Sequence, residues 1–145
     1  MKIFTIGFTK KTAKRFFGLL ARPDILRVVD IRLNNNSQLA GFTRREDLRY
    51  FLNSILGKDY VHVPELAPSA EMLKTYRDGQ SDWIAYERDF TALMQERRIE
   101  QTVAADLLDG GCLLCSEATP EHCHRRLVAE YFQTLWPEAI VEHLI

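Results

Sequence analysis

Apolar and polar positions along this chain follow two different periods. Short apolar runs of the strand kind occur at Lys2–Gly7, Leu26–Arg32, Tyr60–Val63, Cys112–Cys115 and Ala139–Leu144. Between them apolar residues recur every three or four positions, the spacing of a helix buried on one face. Thr9–Ala21 sets Ala13, Phe16, Phe17 and Leu20 on such a stripe and stops before Pro23. Thr43–Leu56 opens on a capping threonine, with Glu46 and Asp47 in the first turn, and aligns Leu48, Phe51, Leu52 and Ile55. Ser81–Arg98 turns Trp83, Ile84, Phe90, Leu93 and Met94 toward a core. A short helix around Val103–Leu108 follows and ends at Gly110-Gly111. In the last helix Thr119 caps, Pro120 takes the first position and Glu121 the first turn. Its apolar face runs through Cys123, Leu127, Val128, Tyr131, Phe132 and Leu135. Strands alternating with helices predict an α/β fold. The expectation is a single domain over residues 1–145, with a mainly parallel sheet of about five strands and helices on both faces. The pattern does not specify strand order.

Composition fits this picture and excludes others. Of 145 residues, 46% are apolar and 27% charged, which rules out a disordered tail, a collagen or a disulfide-stapled miniprotein. The net charge of −1 conceals an asymmetry: residues 1–60 carry 12 basic and 5 acidic side chains, residues 61–145 carry 7 and 15. Two readings follow. Either the halves interleave and the charges mix, or the N-terminal half builds a basic face that attracts phosphate. The three cysteines all fall within Cys112–Cys123, which is no secreted disulfide framework. No apolar run is long enough to span a membrane, and the Met1–Gly7 run is too short for a signal peptide. A reducing cytoplasm is the expected setting.

Ligands of open parallel sheets bind beyond the carboxyl ends of the strands. Applied here, that rule collects the polar residues of the chain. Gly7 and Thr9 follow the first strand. Asp30 and Arg32, two apart and so on one face, end the second. His62 lies in the third, and Cys115, Ser116 and Glu117 end the fourth. The Cys123-His124-Arg125 turn opens the helix after it. A helix N-terminus favours an anion, and Arg125 and Arg32 can each hold one bidentately. A thiol there gains thiolate character, and His124 can move protons near neutral pH. Every one of these residues also has a structural reading. Cys115 and Cys123 suit an apolar core, Asp30–Arg32 and Glu117–Arg125 suit ion pairs, and His62 suits a satisfied histidine. Cys112-x2-Cys115-x7-Cys123-His124 resembles a metal-ligand series. However, Cys112 and Cys115 are three apart on a strand and point to opposite faces, so no metal and no cofactor is expected. A Cys115–Cys123 redox pair is a further option.

Taken together, four motifs resemble the domain of unknown function 488 family. They are Thr5-Ile6-Gly7, Val29-Asp30-Ile31-Arg32, His62-Val63-Pro64-Glu65-Leu66 and Leu114-Cys115-Ser116-Glu117-x-x-Pro120-x-x-Cys123-His124-Arg125. The last is the most specific. The resemblance implies a small α/β protein and strengthens the site more than the activity, which that family leaves unassigned. The chain departs from the family pattern in three places. Phe8 and Thr9 stand where His and Ser are usual, Leu33-Asn34-Asn35-Asn36-Ser37 replaces a Pro-rich stretch, and Ala67-Pro68 replaces a Gly pair.

Two functions are compatible with these residues. The first is an enzyme acting on a small anionic or nucleotide-like substrate. Arg32, Arg125, Asp30, Gly7 and Thr9 would form its binding site, and Cys115, Glu117, Cys123, His124 and His62 would do its chemistry. The second is a nucleic-acid-binding or accessory module. It would use Lys10, Lys11, Lys14, Arg15, Arg44, Arg45 and Arg49, with Phe8, Phe42 and Tyr50 stacking on bases.

Overall fold

The computed structural model describes residues 1–36 and 41–145. Ser37, at the end of the asparagine-rich stretch, lies outside the described residues. Five strands form one sheet: β1 (Lys2–Gly7), β2 (Arg27–Asp30), β3 (Asp59–His62), β4 (Gly111–Cys115) and β5 (Ile140–Leu144). All neighbours pair in parallel, in the order β3-β2-β4-β1-β5. Seven α-helices accompany them among the described residues: α1 (Ala13–Leu20), α2 (Arg45–Phe51), α3 (Ala70–Arg77), α4 (Trp83–Arg97), α5 (Ile99–Thr102), α6 (Ala105–Leu108) and α7 (His124–Leu135). The chain is therefore an α/β protein with a parallel sheet, as the alternation of periods predicts. No described helix is long and apolar enough to cross a membrane.

The strand order explains why two cores form. From β1 the chain moves to β2 and then β3 in one direction along the sheet; from β3 it returns through β4 to β5 in the other. A constant crossover hand puts connections that run in opposite directions on opposite faces. Accordingly, Phe16, Phe17 and Leu20 of α1 and Leu48 of α2 pack on Phe4, Ile6, Val28 and Leu114. Tyr86, Phe90 and Met94 of α4 and Leu127, Val128 and Phe132 of α7 pack on Ile3, Val29 and Leu113. Every residue of β4 is buried, as suits a central strand covered on both sides.

The helices differ from the sequence expectation at their ends. α7 begins at His124, not at Thr119-Pro120, because residues 116–123 are needed to carry the chain off the end of β4. Thr43 does not cap α2, which starts at Arg45 and widens into a π turn over Leu52–Leu56. The wider turn takes Ile55 off the buried stripe and leaves it 58% exposed. In α4 the inward stripe is Trp83, Tyr86, Phe90 and Met94. Ile84 lies one helical step away from it, 76% exposed. Leu135 is likewise at the surface. The sequence pattern missed α3, which has no buried residue.

One glycine fixes how β1 ends. A Cβ on Gly7 would lie 1.6 Å from the Glu117 carbonyl oxygen and 2.6 Å from Nη1 of Arg125. The loop after β4 thus crosses directly over β1, in a space that only glycine leaves open. Gly7→Ala must displace that backbone. It is expected to cost on the order of 3 kcal/mol, measured as a lower urea midpoint, whereas Gly18→Ala on the open face of α1 is expected to be neutral or better.

Candidate active site

β4 lies between β2 and β1, whose onward connections take the other face of the sheet. At such a switch point the loops diverge and leave a crevice. A cleft of about 430 Å³ opens there. Its floor is Cys115, Ser116 and Glu117 after β4, and one wall is Arg32, Leu33 and Asn34 after β2. The opposite wall is aromatic, with Tyr76 of α3 and Trp83 and Tyr86 of α4. Cys123 and His124 close it at the start of α7.

Cys115 and His124 meet at the floor. The Cys115 Sγ lies 3.3 Å from Nδ1 of His124, whose Nε2 lies 2.7 Å from the Ile31 carbonyl oxygen. A carbonyl only accepts, so Nε2 carries a proton, and Nδ1 is the nitrogen that faces the Cys115 sulfur. Phe90 packs edge-on against the ring and holds its plane. Burial alone would push the Cys115 thiol up. It is outweighed by hydrogen bonds from the Cys123 thiol and the Ser116 N–H, by the Arg125 charge and by the Glu117 N–H, so that Cys115 ionises below the ordinary thiol range. Cys123 moves the opposite way, through burial, its bond to Cys115 and the Cys115 charge. Cys112, on the far side of the sheet among Phe4 and Leu114, is raised by burial. Of the three thiols, the one that favours thiolate is the one at the floor of the cleft.

Arg125, expected as an anion-binding residue, stands behind this floor and does not line the cleft. It is fully buried. Its Nη1 donates to the Glu117 carbonyl, its Nη2 lies 3.5 Å from the Ala118 carbonyl, and its Nε donates to Thr5 Oγ1 at 3.2 Å. It holds the Glu117 backbone, not the Glu117 carboxylate, and no acid pairs with it among the described residues. Thr5 passes the constraint on. Its oxygen accepts from Arg125 and also lies 2.6 Å from Nδ1 of His143, with which it shares one proton.

Asp30 and Arg32 form the second constellation. Arg32 Nε and Nη2 each donate to the Asp30 carboxylate at 2.8 Å, and Nη2 also reaches the Thr43 carbonyl at 2.7 Å. The Tyr60 hydroxyl donates to Asp30 Oδ2 at 2.5 Å. Asp30 is thus saturated and acts by fixing Arg32. The guanidinium also lies over the Phe8 ring. Its remaining nitrogen, Nη1, is buried and has no hydrogen-bond partner among the described residues.

The remaining expected residues divide. Glu117 lines the cleft as an exposed carboxylate. His62 donates from Nε2 to the Arg32 carbonyl at 2.9 Å, outside the cleft. Thr9 is exposed and its N–H bonds to the Ser116 carbonyl, while Gly7 supplies clearance. Residue types alone did not single out Tyr76, Arg77, Trp83 or His122. His122 stacks on Trp83 at 4.9 Å between centroids, a contact made across 39 positions that no local pattern contains. Lys14, Arg15, Arg45 and Arg49 lie on α1 and α2, the layer opposite α4 and α7. Of the three aromatics expected to stack on bases, Phe8 is buried and Phe42 packs on Phe16 and Phe17; Tyr50 is exposed. The side-chain donor atoms of Cys115, Cys123 and His124 lie within 4.8 Å of one another, a soft donor set of three. Among the described residues no fourth ligand joins them, and Cys112 faces the other core.

The fold and this floor define a small parallel α/β protein with a cysteine–histidine pair at its switch point. Residues 12–132 match the family described as domain of unknown function DUF488, and the chain belongs to it. No curated protein and no solved structure matches it significantly.

Two outcomes follow from the buried groups. Asp30→Ala would leave the Arg32 charge buried and unpaired. It is expected to cost about 3–5 kcal/mol by chemical denaturation, and Asp30→Glu to recover part of that. Burial and the Arg125 charge lower the His143 pKa below its ordinary value. The unfolded chain takes up this proton near pH 6.5 while the folded chain resists it. The stability His143 contributes is therefore complete above about 6.5 and is lost as the pH falls through the folded-state value. Ring-proton NMR is expected to show a midpoint below 6.5, and a midpoint at or above it would contradict the burial of His143 beside the Arg125 charge.

Proposed function

We propose that this chain is an enzyme that attacks a small anionic substrate with the Cys115 sulfur, in the cleft at the carboxyl end of the sheet. The observation that carries the reading is the relay from Cys115 through His124 to the Ile31 carbonyl. A nucleophile within reach of a base, with the base oriented by a third group, is the arrangement that nucleophilic catalysis requires. His124 Nδ1 takes the thiol proton and later returns it to the leaving group. The sulfur forms a covalent bond to the electrophilic centre of the substrate, which water or a second nucleophile then breaks.

The substrate's charge is inferred from the walls. Arg32 is held rigidly by Asp30, yet keeps one buried nitrogen with no acceptor. Buried donors are rarely left unpaired, and an anionic oxygen of a ligand would satisfy this one. Arg77 adds a second positive group on the opposite wall. A volume of about 430 Å³ suits a metabolite-sized ligand, and the aromatic wall gives it an apolar side. A working free thiolate also agrees with the cytoplasmic setting expected from the cysteine count.

Pulse alkylation with iodoacetamide at neutral pH, read by peptide mass mapping, tests this. Cys115 is expected to be labelled well before Cys112 and Cys123. His124→Ala is expected to slow that labelling several-fold, because it removes the base that takes the thiol proton, while the melting temperature stays close to wild type. Labelling of Cys115 no faster than of Cys112, or at an unchanged rate in His124→Ala, would remove the basis for the proposal.

A further inference from the structure

We infer that Cys115 and Cys123 form a dithiol that reduces small hydroperoxides and closes to a disulfide, reversibly withdrawing the nucleophile. The inference rests on the reading of Cys115 as the reactive thiol and adds a partner for it. The two sulfurs lie within 4.8 Å of one another, and both line the cleft. A disulfide needs that gap to close to about 2 Å. The chain permits the movement. Cys123 precedes α7 in extended backbone, with φ −136° and ψ 139°, and its side chain makes no capping hydrogen bond to the helix. The eight-residue separation between the two cysteines is irregular loop, so closing it bends no helix or strand.

The chemistry balances with a hydroperoxide as the oxidant. The Cys115 thiolate attacks the terminal peroxide oxygen. The O–O bond breaks, the departing oxygen leaves as water or an alcohol after taking a proton, and the sulfur becomes a sulfenic acid. The Cys123 sulfur then attacks the Cys115 sulfur, and its thiol proton leaves with the sulfenic oxygen as water. Two thiols are oxidised, one peroxide is reduced, and an external dithiol that takes over the disulfide restores the starting state. His124 Nδ1, within 4.8 Å of both sulfurs, is placed to carry the proton from Cys123. Arg125 Nη1, 3.8 Å from the Cys123 sulfur, favours negative charge there during the attack. Cys112 cannot take part, because it faces the opposite core.

Treatment of the reduced full-length protein with one equivalent of hydrogen peroxide, followed by intact-mass measurement and peptide mapping, tests this. The expected result is loss of two hydrogens, a Cys115–Cys123 linked peptide and a Cys112 that still alkylates once the protein is unfolded. Cys123→Ser is expected to gain one oxygen at Cys115, trappable by dimedone. Accumulation of sulfinic acid at Cys115 with Cys123 still free, or a disulfide between two chains, would overturn the inference while leaving Cys115 as a nucleophile. So would a Cys115 that iodoacetamide labels and peroxide does not touch. A Cys115 unreactive to both reagents would overturn the nucleophile reading as well.

Discussion

The buried guanidinium of Arg125 is the constraint on which the site depends. A guanidinium cannot shed its proton, so the charge has to be met inside the protein. Two loop carbonyls and the Thr5 hydroxyl meet it. None of these carries a formal charge, and the Arg125 charge favours the ionised form of the Cys115 thiol. The same interaction therefore does two things. It pins residues 117 and 118 over β1, which sets the path from β4 into α7, and its charge adds to the hydrogen bonds from the Cys123 thiol and the Ser116 N–H that favour the Cys115 thiolate. Gly7 is the steric counterpart of this arrangement, since the Glu117 carbonyl that Arg125 grips rests where a side chain of residue 7 would be.

The second arginine is handled in the opposite way. Arg32 has its counter-charge two residues away on the same strand, and Tyr60 from the neighbouring strand takes the carboxylate's remaining capacity. Its net charge is small but its geometry is rigid. One arginine thus favours the ionised form of a neighbouring thiol through its charge, whereas the other is locked in place beside its own counter-ion. Residue type alone does not separate these roles. The difference lies in whether an acid stands on the same strand.

Much of this was legible in the sequence. The five strands follow from apolar runs, and the rule that sites lie at carboxyl strand ends brought Asp30, Arg32, Cys115 and His124 together before any coordinates. What could not be read was the path of the loop. With α7 expected from Thr119, Arg125 falls in its second turn and looks free to hold a ligand; starting at His124, the helix carries Arg125 inward and leaves Cys123 at its edge. α3 escaped because it is short and buries no residue fully, with Met72 and Tyr76 only partly packed on the core. Trp83 showed core spacing, but periodicity does not distinguish a residue sealed in a core from one at the core's open margin, and Tyr86, buried beside it, was not on the expected stripe. Phe8 and Phe42, which looked like surface aromatics among basic residues, were drawn inward by Arg32 and by the α1 phenylalanines.

Besides the wall after β2, the cleft draws its parts from two separable stretches of chain. The sulfur, its base and the charge behind them come from β4, the loop after it and the first turn of α7, a run of some dozen residues with its own internal hydrogen bonds. The aromatic wall and Arg77 come from α3 and the start of α4, an insertion between β3 and β4 that contributes no strand to the sheet. Such a division allows the reactive half to be inherited unchanged while the recognising half drifts. Substitutions in α3 and the start of α4 can then reshape the cleft without touching the Cys115–His124 pair.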